Sequence, residues 1–101
     1  MKIEVLYVPG CPNHEPAVEA VRNALESESF EADVRQIPVQ SESEARALQF
    51  PGSPTIRVNG GDVEPESASG YALACRLYGN GLGVPSEAAI RTAVAAARKE
   101  E

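Results

Sequence analysis

The sequence predicts a single α/β domain, and three patterns carry that prediction: an opening run of apolar, β-type residues, two amphipathic helical stretches, and short β-type runs between them. With 101 residues and 43% hydrophobic side chains, the chain can fill one modest core and has too little for two. Residues 1–101 are therefore read as one domain.

Residues 3–8, Ile-Glu-Val-Leu-Tyr-Val, are almost continuously apolar, as suits a central strand covered on both faces, and Pro9-Gly10 ends it. From about Asn13, Ala17, Val18, Val21, Ala24 and Leu25 recur at steps of three and four with Glu19, Arg22 and Glu26 between them, the signature of an amphipathic helix. Asn13 is its expected cap, and Pro16 fits the first turn, where no backbone amide is needed. Residues 32–39, with Val34, Ile37 and Val39, read as a second strand whose end Pro38 confines to an edge or terminus. Ser41 followed by Glu44 is a capping-box pattern that opens a short helix through Leu48. Thr55 to Val58 reads as a third strand ended by a turn at Asn59-Gly60-Gly61-Asp62. The alternation Tyr71, Leu73, Cys75, Leu77 predicts a fourth strand over 71–78, and Ser86 caps a last helix bearing Ile90, Ala93, Val94 and Ala97 on one face. The expected order is βαβαββα: a four-stranded mixed sheet, its first two strands parallel through a right-handed crossover, with helices on both faces.

Composition narrows the function. A net charge of -6 with only nine Lys plus Arg offers no basic stripe, so neither nucleic acid nor an anionic membrane surface is expected as a partner. The N-terminal apolar run is too short for a signal peptide, which makes the cytoplasm the expected location. Two cysteines are too few for a disulfide scaffold, and thiols in a reducing compartment are catalytic, metal-binding or simply buried. The paired spacings of a structural zinc site are absent, Gly79, Gly81 and Gly83 do not form a dinucleotide loop, and no cofactor is expected. Those glycines read as a mobile loop rimming the Cys11 site.

Cys11 falls between the first strand and the first helix, where free amides and the helix dipole favour a thiolate, the nucleophilic and metal-binding form. His14, the single histidine, follows three residues later and is positioned to take or return the thiol proton, or else to sit in solvent. Cys75 alternates with apolar residues, which suits either buried packing or a second thiol returning towards Cys11 as resolving partner or soft-metal ligand. Arg76 alternates away from it, towards a helix-covered or solvent side.

The order of elements, with Val8-Pro9-Gly10-Cys11-Pro12-Asn13-His14 beyond the first strand and Gly52-Ser53-Pro54-Thr55 before the third, resembles the thioredoxin-like fold over almost the whole chain. The resemblance implies a cis Pro54 packed beside Cys11, with the backbone of Ser53 left to pair with an extended substrate and Ser53, Pro54 and Thr55 forming the substrate-binding edge. His14 stands where a dithiol member has its second Cys, so exchange within one motif is excluded, and the implied activity is monothiol or two-thiol exchange with a thiol or disulfide substrate, Cys75 resolving. A narrower likeness is to short thioredoxin-like proteins sometimes labelled alkylmercury lyase, whose Cys-x-x-Asp motif and later Cys are imitated by Cys11, His14 and Cys75. That likeness implies mercury binding by Cys11 and Cys75 with His14 delivering a proton, although His replaces Asp and the chain is short for such an enzyme. A non-catalytic binding module on the same fold is the third expectation.

Overall fold

The apolar opening run forms β1 (Lys2–Tyr7), and it lies at the centre of the sheet because both of its edges are taken. In the computed structural model, which describes residues 1–100, β2 (Asp33–Pro38) runs parallel along one edge and β3 (Thr55–Val58) antiparallel along the other. A two-residue β4 (Gly61–Asp62) pairs antiparallel with β3 after the turn at Asn59-Gly60, giving the order β2-β1-β3-β4.

Among the described residues three α-helices cover this mixed sheet. The first, α1 (His14–Ser27), starts at Asn13 as the spacing predicts, although the Asn13 side chain makes no capping bond; Pro16 is its third residue. The capping serines behave as expected: Ser41 Oγ accepts from the Glu44 amide ahead of α2 (Glu42–Ala47), and Ser86 Oγ from the Ala89 amide ahead of α3 (Glu87–Lys99). The Glu44 carboxylate reaches back to the Gln40 amide at 3.0 Å, one residue earlier than an ideal capping box requires.

Strand alternation sorts the core into two layers. Ile3 and Val5 of β1 with Ile56 and Val58 of β3 face α1 and α3, which supply Val18, Val21, Ala24, Leu25, Ile90, Val94 and Ala97. Leu6 faces the other way, into a smaller cluster with Val39, Ala45 and Phe50 beside α2. Helices therefore lie on both faces, as anticipated.

The fourth strand is a correction. Residues 71–78 are irregular, touching the sheet's chain through one parallel bridge between Ser53 and Cys75, and the strand next to β3 is the much shorter Gly61–Asp62. The parity of the segment is also the reverse of what its apolar side chains suggest. Tyr71, Leu73, Cys75 and Leu77 are exposed while Arg76 and Tyr78 are buried, because Arg76 finds an acid at Asp62 and Tyr78 a carbonyl at Pro54.

Candidate functional site

The site is assembled around Ser53. The Ser53-Pro54 peptide is cis, as the resemblance implies, and Ser53, Pro54 and Thr55 are all buried. Ser53 is bonded on three sides: its Oγ accepts the Val8 amide at 2.9 Å, its own N–H donates to the Ala74 carbonyl at 2.7 Å, and its C=O accepts the Arg76 amide at 2.9 Å. The backbone expected to await a substrate is thus already paired with the chain's own segment.

Both cysteines hang from this residue. Cys11 closes a tight turn in which its amide donates to the Val8 carbonyl at 3.0 Å, and Val8 is the residue bonded to Ser53 Oγ. Its carbonyl in turn accepts the His14 amide at the start of α1. Cys75 is the bridge partner of Ser53, and bridged residues project side chains to the same face. The neighbouring alternation agrees: a side chain at Gly52 would meet the Arg76 Cβ at 3.0 Å, which places Gly52 and Arg76 on one face and Ser53 and Cys75 on the other. With its φ of 140° as well, position 52 accepts glycine and little else. Both thiols are free; Cys11 is half-buried and Cys75 exposed, not packed in the core.

His14 has partners other than the thiol it was expected to tune. Its ring stacks on Tyr7 with centroids 3.6 Å apart, and its Nε2 meets Gln36 Oε1 at 2.7 Å. Among the described residues the imidazole makes no hydrogen bond to the Cys11 sulfur. Of the loop glycines, Gly83 lies against the Asn13 amide group ahead of α1, so close that a side chain there would overlap it, and Gly79 lies against Glu64.

Behind the bridge, the Arg76 guanidinium is sunk into a polar nest at the β4 end. It donates to both Asp62 carboxylate oxygens at 2.7 and 2.9 Å, to the Glu64 carbonyl, to Ser67 Oγ and to Thr55 Oγ1, and it lies over the Tyr78 ring. Its Nε is buried without a partner among the described residues. The Tyr78 hydroxyl donates to the Pro54 carbonyl, and burial pushes its pKa far above the ordinary phenol value, against the opposing pull of Arg76. This anchor was not anticipated, although one Arg in an otherwise uncharged stretch was a signal for it.

The clefts at Leu48–Arg57–Tyr71 and Arg22–Phe30 have neither cysteine in their walls. Among the described residues no cluster of three or more His, Cys, Asp or Glu is arranged to hold a metal, and no helix is long and apolar enough to cross a membrane. Compared with family models, curated proteins and solved structures, the chain matches none.

Proposed function

We propose that this is a thioredoxin-like thiol protein in which Cys11 and Cys75 form one exchange centre around Ser53 and Pro54. The fold reading is supported by the strand order β2-β1-β3-β4 with only β1 and β2 parallel, and by the cis peptide ahead of β3. The single observation that carries the chemistry is that Ser53 bonds the Cys11 turn through its side chain and the Cys75 segment through its backbone.

In this reading the Cys11 thiolate attacks one sulfur of a substrate disulfide, forming a mixed disulfide and expelling one substrate thiolate. The Cys75 thiolate then attacks the Cys11 sulfur, forming the Cys11–Cys75 disulfide and releasing the second substrate thiol. The substrate disulfide is reduced and the protein dithiol oxidised, so atoms and electrons balance. Cys11 leads in this reading because it stands in the turn ahead of α1, the place of the reactive Cys in the resemblance. His14 holds Tyr7 and Gln36 and takes no assigned proton transfer.

The experiment is exchange with hydroxyethyl disulfide, a small neutral probe. Cys11→Ser is expected to abolish it, and Cys75→Ser to stop at a mixed disulfide on Cys11. Wild-type rates in Cys11→Ser would overturn the assignment. Two free thiols, one half-buried and one exposed, also support a second reading, capture of mercury(II) between two thiolates. Protonolysis by His14 lacks that support, because Nε2 is bonded to Gln36.

A further inference from the structure

The charges of this acidic chain avoid the site. Its three longest stretches without Asp, Glu, Lys or Arg on their surface are 5–14, 47–56 and 67–86, the last interrupted only by Arg76, which is buried. These are the three segments that build the thiol site. In the third, neither the N–H nor the C=O of Cys75 or of Leu77 has a hydrogen-bond partner among the described residues. Since Ala74 and Arg76 spend their groups on Ser53, alternation turns those of Cys75 and Leu77 outward, as an open strand edge. Leu77 projects on the side of Cys75 and is 69% exposed, and Leu82, 62% exposed, is held beside it by the Tyr78 amide bonded to the Leu82 carbonyl.

We propose that the Cys75–Leu77 edge, with Leu77 and Leu82, docks an extended, uncharged, apolar peptide segment, and that the thiol centre acts on disulfides carried by such segments in preference to small anionic disulfides. This rests on the thiol-exchange reading. Backbone groups on the edge supply pairing, and the two leucines supply apolar contact. An anionic disulfide meets no cation there, in a molecule of net charge -6.

The test compares exchange rates of the full chain with three probes: hydroxyethyl disulfide, oxidised glutathione, and the disulfide dimer of a capped pentapeptide, Val-Thr-Cys-Val-Thr. The peptide is expected to react fastest and oxidised glutathione slowest. Leu77→Glu is expected to slow the peptide about tenfold, the loss of one leucine contact, and to leave hydroxyethyl disulfide unchanged. Equal slowing of both probes by Leu77→Glu, or equal rates for peptide and glutathione, would overturn the docking edge while leaving the thiol centre standing. Silence with all three probes would remove the thiol reading and this inference together. A concentration-dependent dimer in sedimentation velocity, lost in Leu77→Glu, would overturn it in favour of a second copy of the chain.

Discussion

A guanidinium with 2% of its side chain exposed is costly to bury, and Arg76 survives there because Asp62 offers two carboxylate oxygens in a fork that matches it. Removing the acid leaves the cation unpaired in the interior, so Asp62→Ala is expected to destabilise the fold by about 3–5 kcal/mol, measured by urea unfolding. An effect within the range of an ordinary surface substitution would mean that the nest does not anchor the segment. Tyr78 gives a second expectation with a definite sign. Its phenol is held neutral above its unfolded value of about 10, so the folded state keeps a proton that the unfolded state releases. The stability this contributes is fully present below pH 10 and is lost as pH rises above it. Unfolding midpoints collected across that range are expected to fall more steeply in the wild type than in Tyr78→Phe; parallel slopes would contradict the assignment. The variant also loses the bond to the Pro54 carbonyl and starts from a lower stability.

At the scale of elements, the helices were the legible part. Ser41 and Ser86 announce their helices by chemistry that acts within one turn, and both caps form as expected. Ser86→Ala is accordingly expected to cost about 1 kcal/mol in thermal or urea unfolding, while Ser86→Asp keeps most of it; equal losses would show that the cap is not the operative interaction. β1, β2 and β3 were legible for a similar reason, since β-type runs ended by Pro9-Gly10, Pro38 and Asn59-Gly60 leave little choice of boundary. The segment 71–78 was not legible. Alternation reports which residues share a face but not which face is buried, and here the apolar set faces out. The deciding partner, Asp62, lies 14 positions earlier in a two-residue strand too short to leave a periodic signal. For the site, the cis Pro54 was implied by the resemblance and the position of Cys11 followed from its place between β1 and α1, whereas the occupied Ser53 backbone and the Tyr7–His14–Gln36 contacts depend on which segments of the chain pass nearby.

Seen as a whole, the molecule gathers three uncharged stretches, distant in sequence, at one rim of a sheet whose central strand is paired on both sides. The smaller cluster of Leu6, Val39, Ala45 and Phe50 packs against Val8 at the base of the Cys11 turn, and the Arg76 nest holds the Cys75 segment on the other side of Ser53. In the proposed reading Cys11 and Cys75, 64 positions apart in the sequence, form a single centre. The most direct measurement is mass-spectrometric mapping of the reduced native protein after titration with hydroxyethyl disulfide. An intrachain Cys11–Cys75 disulfide with no retained adduct is expected, and a Cys11 adduct that persists in Cys75→Ser. Separate adducts on both cysteines of the wild type, with no intrachain bond at any point of the titration, would contradict the reading.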